Sequence, residues 1–211
     1  MALRADYSAE TKNAYTITKH KAGYSREPVI NRELFEEILR ISRDSFTRTI
    51  SKEEVTNLIQ HNHLLLVAYD TGSMQTVGFA SSHYTNDFCY LSSAAIIKSE
   101  QGKGLYQMFN RLRISDGLSN GFNTFTVTTQ NPKVENGISC TFDALLMEGR
   151  ISGYSVQREV IRGCYGRLIT DHIPRSSEER INRLFSVLDY MRGDAFQISF
   201  VTSRAKKLFW E

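Results

Sequence analysis

The sequence predicts a mixed α/β fold, with a mainly antiparallel sheet and helices on both of its faces. Three observations predict it. Three strand candidates lie between residues 64 and 97, separated only by turn residues, so a meander of antiparallel strands connects them most economically. A glycine-rich joint, Gln101-Gly102-Lys103-Gly104-Leu105-Tyr106, then leads through a helix to a short strand, Thr124–Thr129. A strand reached through a helix runs parallel to the strand before that helix. Segments with helical periodicity stand before and after this block and supply the covering layers.

Residues 1–28 show weak periodicity and read as a loose arm, with a strand near Tyr15–Thr18. Asn31 has the chemistry of an N-cap, and Leu34, Phe35, Ile38, Leu39 and Phe46 follow at helical spacing. Ser51 and Glu54 form a capping-box pattern ahead of Val55, Leu58 and Ile59. Leu64–Tyr69 is continuously apolar, as expected of a strand buried on both faces. Asp70-Thr71-Gly72-Ser73 is a turn, Thr76–Tyr84 the second strand, Asn86-Asp87 the next turn, and Phe88–Ile97 the third strand. Leu105, Met108, Phe109 and Leu112 mark a helix to about Ser119, which Asn120-Gly121 ends.

After Thr124–Thr129, Gln130-Asn131-Pro132 breaks the chain. A helix over Glu135–Met147 carries a weak point at Gly137, and Gly153–Tyr165 reads as a strand region. Ser176 and Glu179 form a second capping-box pattern for a helix over Ser176–Leu188, lined by Ile181, Leu184, Phe185 and Leu188. Phe196–Val201 is a last strand, able to pair with a sheet edge or with a second subunit, hence a homodimer. The expected organisation is an N-terminal arm (1–30), a ligand-binding domain (31–170), and a helix-strand extension packed on it (171–211).

Composition excludes several classes. At 211 residues and 41% hydrophobic content the chain suits one large domain, alone or with an appendage. A net charge of +3 is too small to argue for nucleic acid and permits only a mild preference for anionic ligands. Cys89, Cys140 and Cys164 are odd in number and far apart, so neither a disulfide framework nor a CxxC metal site is expected. Three buried thiols in a reducing compartment is the simplest reading. Residues 1–24 lack the apolar core of a signal peptide, and no stretch approaches a membrane span, so the expectation is a cytoplasmic protein without membrane partners. His61 and His63 alone are a weak metal signal, better explained as a solvated helix end, and no metal is expected.

The joint carries the chemistry. Glycines there allow a tight turn and a close approach of ligand to backbone. The first N–H groups of a helix lack internal partners and carry the positive end of its dipole, which suits phosphate or pyrophosphate. Lys103 adds charge at the same place. The competing reading is a plain strand-to-helix turn. A P-loop fails because Gly104 follows Lys103, and a dinucleotide fingerprint fails because position 107 is Gln107.

With Gln101-Gly102-Lys103-Gly104-Leu105 and its setting, the sequence resembles the GNAT superfamily of N-acetyltransferases. Their pyrophosphate loop has the form Gln or Arg, two residues, Gly, one residue, then Gly or Ala. Tyr106 departs from the pattern, standing where a small residue is usual. The preceding meander and the break at Thr128-Thr129-Gln130-Asn131-Pro132 add to the likeness, which covers roughly half of the chain, from Leu64 to about Gly166. The resemblance implies acetyl-CoA as co-substrate, with its pyrophosphate on Gln101, Gly102, Lys103, Gly104, Leu105 and Tyr106. It implies a strand pair, Phe88–Ile97 and Thr124–Thr129, that splays at one end. The acetyl and pantetheine groups would lie in that cleft against backbone near Ala95, Ile96 and Ile97, with Asn131 near the pantetheine arm.

Acetyl transfer to an amine needs a base for the amine and an acid for the departing thiolate. Family members that place a carboxylate on the strand before the loop do so where this chain has Tyr90, and no Asp or Glu lies between Phe88 and Ile97. Asp87, a residue elsewhere, or a water chain remains for the base. The Tyr that the family commonly uses as acid after the break is absent from Val134–Met147, which leaves Ser139, Cys140, Thr141 and the carboxylates, with Tyr154 and Tyr165 further on. Tyr90 and Cys140 are the weak catalytic candidates; each reads more readily as a packed or surface residue. A nucleophilic role for Cys140 has no His nearby in sequence to support it. Three functions therefore stand: an N-acetyltransferase acting on a small-molecule or protein amine, a non-catalytic acyl-CoA-binding regulatory module, and a structural domain without ligand.

Overall fold

The computed structural model describes residues 9–12, 14–21, 30–46, 50–59, 62–170 and 172–204. The fold is mixed α/β, its strands mostly antiparallel with one parallel pair. By internal contacts the chain divides into two compact units. The first comprises the described residues up to Tyr84 together with Tyr90–Arg113, and the second comprises Thr85–Cys89 and the described residues from Ile114.

The first unit is built on strands β1 (Ala9–Lys12), β2 (Tyr15–Lys21), β3 (Leu64–Asp70), β4 (Thr76–Tyr84) and most of β5 (Cys89–Ile96), in that spatial order. The segment read as a loose arm therefore contains a hairpin: β1 pairs antiparallel with β2, and β2 pairs antiparallel with β3 from Tyr15↔Asp70 to Lys21↔Leu64. Only Tyr15 and Ile17 of β2 are buried, and Thr16 between them and the polar run Thr18–Lys21 after them hide the strand from hydropathy.

Helix α1 (Arg32–Ser45) starts where expected. The Asn31 side chain accepts a 2.8 Å bond from the Leu34 N–H, a cap that contributes about 1 kcal/mol. Helix α2 (Lys52–Ile59) starts with the reciprocal box: Ser51 N–H donates to Glu54 Oε2 at 2.9 Å, and Glu54 N–H to Ser51 Oγ at 3.1 Å. These helices cover one face of the sheet. There Ile38, Ile41, Val55 and Ile59 pack with Leu65, Val67 and Phe79. The other face carries helix α3 (Leu105–Ser119), whose Leu105, Phe109 and Leu112 pack with Leu64, Leu66, Ala68 and Ile96. The alternate residues of β3 thus serve two cores, which is why its sequence is apolar without alternation. Each fully buried Leu or Ile stabilises by roughly 1.5–3 kcal/mol.

His63 precedes β3. Its Nδ1 accepts the Tyr84 N–H at 3.0 Å, and its ring stacks on Tyr84 at 5.1 Å between centroids. Burial, and then the nearby His83, hold its pKa below the usual 6.5. Burial does the same for His20. The unfolded chain therefore binds protons that the folded chain resists, so this stability is present above about pH 6.5 and is lost as pH falls through and below that value. We expect the urea midpoint to drop between about pH 7.5 and pH 5, and His63→Asn, which keeps an acceptor but cannot titrate, to flatten part of that slope. An unchanged slope would assign the acid sensitivity to other groups.

The second unit contains β6 (Thr124–Thr129), helix α4 (Pro132–Met147), β7 (Ile151–Ile161), helix α5 (Glu179–Phe185) and β8 (Ala195–Arg204), with strand order β6-β8-β7. β8 is antiparallel to both neighbours. The last strand is thus the middle strand of its unit, with a partner on each side, and is not free for a second subunit. Its Phe200 stacks on Phe142 of α4 at 5.0 Å, and Phe142 meets Phe125 of β6 at 5.6 Å. Glu135 of α4 is 1% exposed and accepts from Arg158 Nε of β7 at 3.0 Å, so its burial is matched by a cation.

Several boundaries differ from the sequence reading. Helix α4 begins three residues early because Asn131 caps it and Pro132 fits the first helical turn. The strand region Gly153–Tyr165 is β7, ending at Ile161. The Ser176–Glu179 capping box does not form. Asn182 clamps Ser176 instead, accepting its N–H at 2.8 Å and donating to its carbonyl at 2.9 Å, and the short α5 starts at Glu179 without a side-chain cap. Of the three thiols only Cys89 is buried. Cys140 lies on the outward side of α4 and Cys164 in the turn after β7, so both are exposed.

Candidate functional site

The joint lies entirely in the first unit. β5 is followed by Ile97, whose N–H donates to Val77 O at 2.9 Å, and by one 3₁₀ turn, Lys98–Glu100. Asp44 of α1 fixes that turn, its Oδ2 accepting the Lys98 N–H at 2.6 Å. Gln101 then braces the loop: its Nε2 donates to Ile96 O at 2.9 Å, tying the loop back to the strand end. Its own N–H donates to Lys98 O at 3.3 Å.

The next five residues are different. Among the described residues, no acceptor within the chain meets the backbone N–H of Gly102, Lys103, Gly104, Leu105 or Tyr106. Gly102 has φ +80° and Gly104 φ +84°, both in the left-handed region that favours glycine. A Cβ placed on either would meet nothing within 4 Å, so the space in front of the turn is open. Helix α3 begins at Leu105, and its positive end points into this turn. Five consecutive unsatisfied donors around an open, positively polarised turn can hold a group of several acceptor oxygens and negative charge.

Tyr106, the residue that departs from the usual pattern, does not crowd the turn. Its ring packs against the core cluster that contains Phe109, and Asn110 and Arg113 lie near its hydroxyl. Burial pushes its phenol pKa up, so it stays protonated. Arg113, 2% exposed, donates to Ser81 O at 3.1 Å and to Ser93 O at 3.3 Å, fixing α3 under β4 and β5. Ala95 and Ile96 are buried and Ile97 is half-buried; the Ile97 N–H and the Ile96 carbonyl are already engaged, on Val77 and Gln101. Tyr90 is half-buried on β5, and Asp87 is exposed in the turn before it.

Lys103 is not a free cation. Its Nζ bonds Glu100 Oε1 at 2.9 Å, while Glu100 Oε2 accepts the Tyr15 hydroxyl at 2.6 Å. Sequence reading missed both Glu100 and Tyr15. The spacing of Glu100 and Lys103 is a local signal; Tyr15, on β2, gave none.

The second unit holds the other sequence candidates. Asn131 spends its Oδ1 on the Lys133 N–H at 3.0 Å as the cap of α4, which leaves its amide hydrogens as donors. Cys140 is exposed on α4. Tyr154 donates to Asp143 Oδ1 at 2.7 Å; burial first, and then Asp143, raise its pKa well above the ordinary value, which makes it a reluctant proton donor. Tyr165 donates to Thr128 O at 2.9 Å. Among the described residues no three His, Cys, Asp or Glu side chains gather to hold a metal ion, and no helix is long and apolar enough to cross a membrane.

No family model matches the sequence. No curated protein matches it either. Solved structures do. The ribosomal-protein-S18-alanine N-acetyltransferase of Escherichia coli is similar with TM-score 0.57 and 13% identity, over 92% of this chain and 99% of that one. The ribosomal-protein-S5-alanine acetyltransferase of Vibrio fischeri is similar with TM-score 0.54 and 11% identity, over 94% of this chain and 99% of that one. An acetyltransferase of Bacillus subtilis, crystallised with CoA, is similar with TM-score 0.50 and 14% identity, over 86% of this chain and 95% of that one. The fold is that of the GNAT N-acetyltransferases.

Proposed function

We propose that this chain, on the fold it shares with the GNAT N-acetyltransferases, binds acetyl-CoA and transfers its acetyl group directly to an amine. The observation that carries the reading is the open turn with five unsatisfied N–H groups at the start of α3. The diphosphate of the coenzyme matches it in charge and in number of acceptors. Gly102 to Tyr106 would hold that group through their backbone, with Gln101 bracing the loop through its side chain. Backbone groups near Ala95, Ile96 and Ile97 that are not already engaged would hold the pantetheine arm.

The coenzyme supplies an acetyl group activated as a thioester. The amine nitrogen forms the new bond to the acetyl carbon, the carbon–sulfur bond breaks, and one proton passes from the amine to the departing sulfur, directly or through solvent. Tyr90 is the side chain of the first unit that we propose nearest that traffic, with water as the base. The acceptor is a small-molecule or protein amine. Three free cysteines fit a reducing, cytoplasmic setting. The sequence gives one reason for a second reading, a non-catalytic acyl-CoA-binding regulator: no carboxylate lies along Phe88–Ile97 to serve as base.

At acetyl-CoA about 100-fold above Kd, binding adds about 2.7 kcal/mol, so we expect Tm to rise by about 5–10 °C. An amine panel read by released thiol then separates enzyme from regulator. No shift with acetyl-CoA would remove both readings; a shift without turnover on any amine favours the regulator.

A further inference from the structure

The turn proposed for the coenzyme carries a cation that is already engaged, and the way it is engaged is built. The Glu100 side chain is 17% exposed and grips Lys103 Nζ with one oxygen at 2.9 Å. Its other oxygen is held by the hydroxyl of Tyr15, which is 4% exposed, at 2.6 Å. Burial, and then Glu100 itself, raise the Tyr15 pKa to about 12, so the hydroxyl remains a donor. Tyr15 and then Lys103 lower the Glu100 pKa, so the carboxylate remains charged. Asp70, opposite Tyr15 in the β2–β3 register, adds negative charge that Lys103 also feels.

An ordinary surface ion pair would swing apart when a stronger anion arrived. This one cannot do so freely, because a buried tyrosine pins the carboxylate. We propose that Glu100, pinned by Tyr15, holds the Lys103 ammonium and so weakens the grip of the Gly102–Gly104 turn on the coenzyme's diphosphate, a positioning role that eases exchange of spent for charged coenzyme. The inference rests on the acetyl-CoA reading and adds to it the residues that set coenzyme affinity.

Calorimetric titration with CoA of the parent, Glu100→Gln, Lys103→Ala and the double variant tests it. Glu100→Gln keeps an acceptor for Tyr15 and should leave Tm unchanged. It should bind CoA about three-fold tighter at low salt, and the gain should fade toward about 0.5 M salt. Lys103→Ala should bind more weakly, and adding Glu100→Gln to it should restore little, since the carboxylate acts through the ammonium. Tighter binding that faded with salt would not follow from a merely structural contact. If the parent binds CoA and Glu100→Gln binds equally or more weakly, the inference falls and the acetyl-CoA reading stands. An equal gain with and without Lys103 overturns the route through Lys103. If the parent binds no CoA, both fall.

Discussion

Gly104→Val is expected to fold and to show no measurable CoA binding by calorimetry. Gly104 sits at φ +84°, a conformation that costs an L-residue about 1–2 kcal/mol and a β-branched one more. The new side chain also enters the open space that a diphosphate would occupy against the N–H groups of Gly102 to Tyr106. Both effects act where the ligand must approach. Gly149 provides the control: its φ is +67°, a Cβ there meets nothing within 4 Å, and it lies in the second unit after α4. Gly149→Val should carry similar strain and leave CoA affinity unchanged. If Gly104→Val binds CoA as tightly as the parent, the joint is only a turn and the acetyltransferase reading loses its main support.

Gly193→Ala is expected to be the most destabilising of these changes, by about 3 kcal/mol or more. Gly193 has φ +84°, and a Cβ there would meet Arg167 N at 2.3 Å and Gly166 N at 2.4 Å. Both contacts are backbone, so no side-chain rotation can relieve them. The crossing is locked by other bonds: Tyr165 N–H donates to Gly193 O at 2.9 Å, and the buried Gln130 side chain donates to Arg167 O at 3.2 Å and to Asp194 O at 3.0 Å. The urea midpoint checks the expectation. Gly149→Ala, with strain but no clash, should cost about 1 kcal/mol; equal midpoints for the two variants would show that the crossing yields.

The elements legible in the sequence were those decided within a few residues. The caps at Asn31 and at Ser51 with Glu54 are contacts of residues three apart, and both form. The same pattern failed at Ser176 because a residue outside it, Asn182, takes both backbone groups of that serine. The strands of the meander were legible because β3 is apolar on both faces and β4 is bounded by turns. β2 was only half legible, since its pairing partner β3 begins more than 40 residues later and its own surface is polar. β8 was found as a strand, but its place between β6 and β7 depends on pairing that leaves no trace in local sequence.

At the joint, the sequence by itself determined the two glycines, the helix that follows them, and hence an anion-binding end on α3, because φ preference and unpaired helical N–H groups are local properties. Only the tertiary structure decided that Tyr106 turns into the core, that Gln101 braces the strand end with its side chain, and that Lys103 is held by Glu100 and Tyr15. Tyr15 and Glu100 stand 85 positions apart, and their contact follows from where β2 pairs with β3. Side-chain contacts of that kind are fixed by sheet register, which depends on the total burial of many residues rather than on any short stretch of chain.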